Sequence, residues 1–410
     1  MPMVVPTVVI YFGIPAVGAD FFTLDDPVRG VLDGATYTLG GDLGVDVAAT
    51  SVGVSVQRGR SRELDEFQTG TATVTLENFD RIYDGLNAAG IYYGDLTPGK
   101  RVTVGFHGVT VFDGTIEDWD VDWPVGGTPT ATFTAVDALG DLARMEFDAW
   151  VAAAGETAGT RLTSILNRPE VHMSLNRRFD TGISVLQGDP VTWGSNALNY
   201  AQLAVKSDGG RFYASRDGAL VFKDRHSMFA ATPTVTFRDD LTGVNFYGIT
   251  TQTGSELLFN RVGVDREGGI LQTVEDTTAI AEYGTRTLSL AGLLMDTDAQ
   301  AADMAGYLLS IYKDPTTRIA SITVNVSDLS DANQATVSAL DIGDLVRVLW
   351  TPRGIAGQVD QTIAVEGVDH YWTSGDVHMM TLRTSPYFQS NAFRLDDPVY
   401  GVLDSSVLAF

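Results

Sequence analysis

Leu96-Thr-Pro-Gly99-Lys-Arg-Val102-Thr-Val104 and, far downstream, Leu340-Asp-Ile-Gly343-Asp-Leu-Val346-Arg-Val348 share one pattern: a loop, a glycine, then a strand with valines at alternate positions. Beyond the first copy comes Ile116-Glu117-Asp-Trp119-Asp120, and beyond the second comes Val365-Glu366-Gly-Val368-Asp369. A further alternating strand follows each. Order and spacing agree apart from one short insertion, which reads as the duplication of a β unit. Working outward from the first copy, Val52, Val54 and Val56, then Ala72, Val74 and Leu76, then Val102, Val104 and Phe106 alternate with small or polar residues. This period of two marks half-buried antiparallel strands. Several short strands within residues 41–147 predict a small β-barrel or sandwich, and the duplication favours the barrel. Around the second copy, Arg318–Val326, Leu345–Trp350, Gln361–Val368 and His378–Arg383 predict another over residues 237–390.

Between the two, residues 148–236 change character. Thr157–Asn167 reads as a short helix that stops at Pro169. Ser195–Ser207 reads as a longer one, capped by Ser195 and ended by Gly209-Gly210. Arg211–Ser215 and Ala219–Asp224 then flank an Arg-Asp-Gly turn as a hairpin. A further helix, Asp298–Tyr312, interrupts the second strand region, with a capping box in Thr297-Asp-Ala-Gln300. The expected fold is mainly β with a smaller α+β part: two related tube-like β-barrel domains, an inserted α+β domain at 148–236, and extended terminal arms at 1–40 and 391–410.

Those arms carry a second repeat. Phe22-Thr-Leu24-Asp25-Asp26-Pro27-Val28-Arg-Gly30-Val31-Leu-Asp33 returns as Phe393-Arg-Leu395-Asp396-Asp397-Pro398-Val399-Tyr-Gly401-Val402-Leu-Asp404. The prolines bias the preceding aspartates away from helix, and the glycines interrupt any regular pattern. The apolar residues follow no helical or strand period, so an extended segment must bury them on another surface. Leu24, Asp25, Asp26, Pro27, Val28 and Val31, with Leu395, Asp396, Asp397, Pro398, Val399 and Val402, are therefore the expected partner-binding residues.

The 410 residues include 44% apolar and 10% aromatic side chains, enough for several packed cores. Cysteine is absent, which removes disulfides, thiolate catalysis and cysteine metal sites. With 27 basic residues against 52 acidic, the net charge of −25 argues against binding nucleic acid through its phosphates. It suits a surface along which nucleic acid slides without sticking. Residues 4–22 are apolar and end in Ala16-Val17-Gly18-Ala19, but no basic stretch precedes them and Pro6 and Pro15 interrupt them, unlike a signal peptide. No stretch has the length and continuity of a transmembrane helix.

Chemical motifs are weak. Gly94-Asp-Leu-Thr-Pro-Gly99-Lys100-Arg101 nearly matches a phosphate-binding loop, but Arg101 stands where a hydroxyl is needed and a strand follows instead of a helix. His107, His172, His226, His370 and His378 show no paired ligand spacing; only His370 and His378, eight apart across a loop, could share a metal. Glu117, Asp118 and Asp120 beside Trp119 and Trp123 form the most glycosidase-like cluster, although a catalytic pair comes from separate strands at a set distance. The Asp-Asp pairs of the arms lack the dense oxygen spacing of a calcium loop. Neither catalytic residues nor a cofactor or metal site is expected, and the chain reads as a non-enzyme.

Four stretches carry a family resemblance. They are Val54–Leu76 followed by Glu77-Asn78-Phe-Asp80-Arg81; Gly209-Gly-Arg-Phe-Tyr with Asp217-Gly and Leu220-Val-Phe-Lys-Asp-Arg225; Tyr283-Gly-Thr-Arg with the helix Ala299–Tyr312 and Leu340–Pro352; and the Leu-Asp-Asp-Pro-Val segment. Together they resemble the minor tail proteins of long-tailed actinobacterial bacteriophages, in particular the tail-tip or baseplate hub. The resemblance implies two tube-like barrels per chain separated by a smaller domain, and a homotrimer whose six barrels match six-fold tail rings. It implies a virion protein assembled in the host cytoplasm, with a distal tail protein ring, a tape measure protein and other tail-tip proteins as partners. DNA would pass through its lumen during ejection without specific binding. No lytic or receptor-binding domain is appended, so the hydrolase activity of longer relatives does not carry over. The alternatives are another tail-tip part, either the distal tail ring or a fibre-anchoring protein, and more remotely a cell-wall glycosidase.

Overall fold

The computed structural model describes residues 5–12 and 44–387, except 172, 174, 175, 228–230, 241, 355, 356 and 376. Both Leu-Asp-Asp-Pro-Val segments, and with them every expected partner-binding residue, lie outside the described residues. The first β unit comprises β1 (Thr7–Tyr11), β2 (Gly44–Asp46), β3 (Ser51–Gly59), β4 (Gln68–Glu77), β5 (Arg101–Phe106), β6 (Val109–Asp122) and β7 (Thr130–Val136). Its strands lie side by side in the order β2-β1-β5-β6-β7-β4-β3. β4 shows why they form: threonine alternates with alanine, valine and leucine, and each apolar residue is buried while each threonine is not. The inward side chains of β1 and β3–β7 meet in a single core that includes Val8, Val54, Val74, Phe106 and Phe133.

β1 is a correction to the expected arm at 1–40. Val8 and Ile10 are fully buried, and the strand pairs antiparallel with β5 and β2. The start of the apolar run at 4–22 is thus a core strand.

An α+β unit follows. It contains α1 (Ala138–Ala143), β8 (Trp150–Ala152), β9 (Glu156–Thr157), α2 (Ala158–Leu166), β10 (Arg177–Phe179), β11 (Val185–Leu186), β12 (Asp189–Val191), α3 (Ala197–Asp208), β13 (Arg211–Ala214) and β14 (Leu220–Lys223). α2 and α3 pack around one core with the β13–β14 hairpin. The cap of α3 is Asn196, whose side chain accepts from the Asn199 amide, so Ser195 lies one residue too early. Gly209 ends the helix at φ 75°, where glycine carries no Cβ penalty.

The second β unit begins with β15 (Val235–Arg238), which straddles the boundary expected at 236, then β16 (Val244–Asn245) and β17 (Gly248–Gln252). β18 (Arg261–Arg266), β19 (Gln272–Glu275), α4 (Thr277–Tyr283), β20 (Thr287–Leu293) and α5 (Asp298–Tyr312) follow. The unit resumes with β21 (Arg318–Asn325), α6 (Asp331–Ser338), β22 (Leu345–Trp350), β23 (Val359–Thr373) and β24 (Val377–Pro386). Its strands lie in the order β16-β15-β22-β23-β24-β21-β17, with the core centred on Phe237, Ile322, Val348, Val365 and Leu382. β18, β19 and β20 form a separate three-stranded sheet under α5 with its own core, so the helix expected within the second barrel belongs to an insertion. Thr297 caps α5 by accepting from the Gln300 amide.

Strand for strand, the second order repeats the first. The duplicated loops repeat it in detail. Gly99 (φ 89°) donates its N–H to Ile116 O, and Gly343 (φ 90°) donates to Val365 O. Ile116 N–H returns to Lys100 O, and Val365 N–H returns to Asp344 O. A β-bulge then follows at Ile116/Asp118 and again at Val365/Gly367. One difference is direction: β1 runs antiparallel to β5, whereas β15 runs parallel to β22.

Neither unit closes on itself among the described residues. β3 leaves the edge of the first unit and pairs antiparallel with β23, from Gly53 opposite Thr373 to Gly59 opposite Gly367. Satisfying that edge outside its own unit merges both into one 14-stranded sheet, so the barrel-like units are open. Gly59 sits at φ 99°, and a Cβ there would collide with the carbonyl of Glu366. We expect Gly59→Ala to cost at least about 2 kcal/mol, from the strained φ plus this collision, as read by urea denaturation.

Candidate functional site: the junction and the polar face

The β3–β23 junction is where the three larger units meet. The bulge in β23 turns Glu366 inward, leaving it 1% exposed. Arg60, just past β3, donates its amide to Glu366 O at 2.9 Å and its Nε to Oε2 at 2.8 Å. Arg211 of β13 donates Nη2 to Oε1 at 2.9 Å, and Ser385 of β24 donates Oγ to the same oxygen at 2.6 Å. Burial alone would push the Glu366 carboxyl up, but Arg211 and Arg60 outweigh it and hold the group below the usual carboxylate range. Alongside, the buried Arg58 donates to Asp341 Oδ1 at 2.8 Å and to Ala214 O, while Arg318 pairs with Glu63 at 2.8 Å. The Arg58-Gly-Arg-Ser-Arg-Glu63 stretch is thus largely an internal clamp.

The other end of the junction holds a chain of imidazoles. His107 lies in a two-residue His-Gly hairpin turn with both φ values positive, as a type I′ turn requires. Its Nε2 lies 3.3 Å from His378 Nδ1, and His378 Nε2 lies 3.1 Å from His370 Nδ1. Phe106 stacks on both His370 and His378. Because His378 uses its two nitrogens toward different neighbours, the three rings form a relay and do not converge on a point. Burial pushes His378 down to about 3 and His370 well below its ordinary value, where His378 and Arg58 add to the effect. His107 is lowered by burial, opposed by Asp331.

The face of the joined sheet opposite the cores is polar. Ser55, Thr73, Thr132 and Thr134 on one side, and Thr323, Thr381 and Thr373 on the other, point away from the apolar layers and are half-buried. Thr75 and Thr132 hydrogen-bond across strands at 3.2 Å, and Thr323 and Thr381 do so at 3.3 Å. Asp118, Asp120 and Asp122 stand exposed along β6. Arg383 on this face is held by Asp369 at 3.0 Å.

The sequence motifs fall into place around these features. Glu117 pairs with Arg144 at 2.6 Å, while Asp118 and Asp120 face solvent on an extended strand. In the loop that resembles a phosphate site, the Gly99 amide is spent on Ile116 and Lys100 Nζ donates to Phe12 O at 2.8 Å. The junction clamp and the histidine relay were not found from sequence. A pairing signal was present, in arginines alternating past the end of a strand, but their partners lie in distant segments.

Compared with solved structures, the chain is similar to the tail protein from Neisseria meningitidis MC58, at 15% identity and TM-score 0.59, covering 84% of this chain and 94% of that one. It is also similar to the 43 kDa tail protein of prophage MuSo2 from Shewanella oneidensis, at 17% identity and TM-score 0.56, covering 84% and 96%. The fold is that of phage tail proteins. A type VI secretion system component from E. coli, described as structurally similar to the T4 tail proteins gp27 and gp5, matches at 10% identity and TM-score 0.50 over 83% and 74%. No protein-family profile matches the chain. No curated protein matches it. Within this tail-protein fold, no helix among the described residues is long and apolar enough to cross a membrane.

Two outcomes test the junction. Glu366→Ala leaves Arg60 and Arg211 without their buried partner and should cost about 3–5 kcal/mol in chemical denaturation. The histidines set a pH dependence. Their folded pKa values lie below the unfolded value near 6.5, so the unfolded state binds more protons between the two and stability falls as pH drops below about 6.5. His378 alone should account for about 2 kcal/mol between pH 7.5 and 5, and His378→Asn should flatten the profile over that range.

Proposed function

We propose that this protein is the structural hub of a phage tail tip, in which three copies form a ring that closes the tail tube. The observation that carries this reading is the duplicated strand order: one chain holds two equivalent β units joined edge to edge. Three copies would present six such units, matching a six-fold tail ring to a three-fold tip. In this reading the two β units, with residues 41–147 and 237–390 as their expected extents, build the tube, and the α+β unit at 148–236 stands outside it. The polar sheet face lines the lumen, where threonine hydroxyls and aspartates let DNA pass during ejection without a basic comb to hold its phosphates. The role is structural rather than catalytic, and the site of action is the virion tail tip after assembly in the host cytoplasm. Neighbours are the distal tail protein ring, the tape measure protein and other tail-tip proteins. The arms are assembly pegs, each presenting Leu24, Val28 and Val31, or Leu395, Val399 and Val402, to a groove of an adjoining subunit.

Mass tests the reading. Sedimentation of the purified protein should give three times the 44.0 kDa chain, alone or on addition of its ring partner. Removing residues 391–410 should weaken assembly into tail tips while leaving the thermal unfolding of the β units unchanged. A monomer under both conditions overturns the hub, and six copies per tip assigns the chain to the distal ring.

A further inference from the structure

The two β units are equivalent strand by strand, yet their outer edges are not used equally. On β6 and β23, the matched bulges place Trp119 opposite Phe133 and Asp120 opposite Thr132, just as Val368 lies opposite Leu382 and Asp369 opposite Thr381. Counting on, Asp122 corresponds to Tyr371 and Trp123 to Trp372. On β3 and β17, Gly53 and Val54 lie opposite Thr75 and Val74, while Gly248 and Ile249 lie opposite Thr323 and Ile322. The equivalence extends into sequence: Gly53-Val-Ser-Val-Gln-Arg-Gly59 corresponds to Gly248-Ile-Thr-Thr-Gln-Thr-Gly254.

Within the chain, β3 is paired on both sides, with β4 and with β23. Its counterpart β17 pairs only with β21 among the described residues. The 367–373 segment of β23 is likewise paired on both sides, with β24 and β3. Its counterpart, residues 118–122 of β6, pairs among the described residues only with β7, because pairing with β5 stops at Thr115. Burial follows the same split. Trp372 is 4% exposed in the core beside Val54, whereas Trp123 is 49% exposed. Thr250, Thr251 and Gln252 on β17 are exposed too. Each chain therefore carries one completed β3–β23 joint and the two separated halves of a second.

We propose that β17 of one copy pairs antiparallel with residues 118–123 of β6 in the next copy, in the register of β3 on β23. Trp123 then lies opposite Ile249, Asp122 opposite Thr250, and Asp120 opposite Gln252. This rests on the trimeric hub reading and names its interface. The occupant of each edge is a second copy because the chain already contains the joint that the two edges would make. The chemistry is compatible: the aspartates of β6 meet uncharged threonine and glutamine, with no like charges opposed, whereas two β6 edges would set aspartates against each other. The contact is heterologous, joining different surfaces, and alternates with the joint inside each chain until three copies return to the start.

The native chain has no cysteine, so engineered pairs report this contact alone. Full-length Asp122→Cys/Thr250→Cys protein under mild oxidation should run as covalent dimers and trimers that reductant dissolves, and neither single variant should cross-link. Trp123→Ala should weaken association at least about ten-fold while leaving the unfolding of the chain unchanged. A protein that is trimeric by sedimentation, yet forms no cross-link and is indifferent to Trp123→Ala, overturns the edge pairing and leaves the hub standing. A protein that stays monomeric overturns both.

Discussion

A single buried carboxylate fixes how the parts of this chain sit on one another. Glu366 receives arginines from the first β unit and from the α+β unit, and a serine from its own sheet. Taking these charges out of water is expensive, and the cost is offset only when hydrogen-bond geometry is satisfied on every side. Apolar surfaces can slide and repack at small cost. Two directional arginine contacts on one carboxylate cannot, so Glu366 specifies an orientation between units that hydrophobic contact alone would leave loose. The backbone makes room for it: glycine at 59 lets β3 press against the Glu366 carbonyl, and glycine at 367 leaves space for the Arg383 guanidinium.

The regular strands were legible because their physics is local. Alternating threonine and aliphatic residues in β4 state both the strand and its buried face, and the loop ending at Gly99 announces its copy at Gly343 through an identical backbone need. What could not be read is what depends on distant partners. His370 and His378 look like two histidines across a turn, and only the fold brings His107 from the first unit to complete the relay. β1 was hidden for a different reason. Its apolar run, Thr-Val-Val-Ile-Tyr, shows no clean period of two, and what makes it a strand is β5, whose edge it covers. The Leu-Asp-Asp-Pro-Val repeat, plain in the sequence, lies outside the described residues, and of the expected arms the structure describes only the stretch that holds β1.

Similarity of fold at 15–17% identity has a physical basis in the same pattern. An open sheet over a single core needs apolar residues on alternate positions and glycine where the chain turns with positive φ; it does not need particular side chains. That freedom extends to the two copies within this chain. Strand order, bulge and threonine pair survive in both, while most residues differ.

The bulge itself shows how one element has been adapted twice. Glu117 and Glu366 occupy the same place in matched bulges. Where β3 arrives to cover the edge, the carboxylate is buried between Arg60 and Arg211. Where no strand of the described chain covers the edge, its counterpart stays half-exposed and pairs with Arg144 from the end of α1. The difference lies in what packs on the edge, not in the residue. A bulge ejects one side chain from the ladder and bends the strand, which suits a carboxylate that must reach sideways to a cation from another unit. Duplication thus supplied two copies of a joint-making device, and the surroundings decide that one closes a joint inside the chain while the other faces outward.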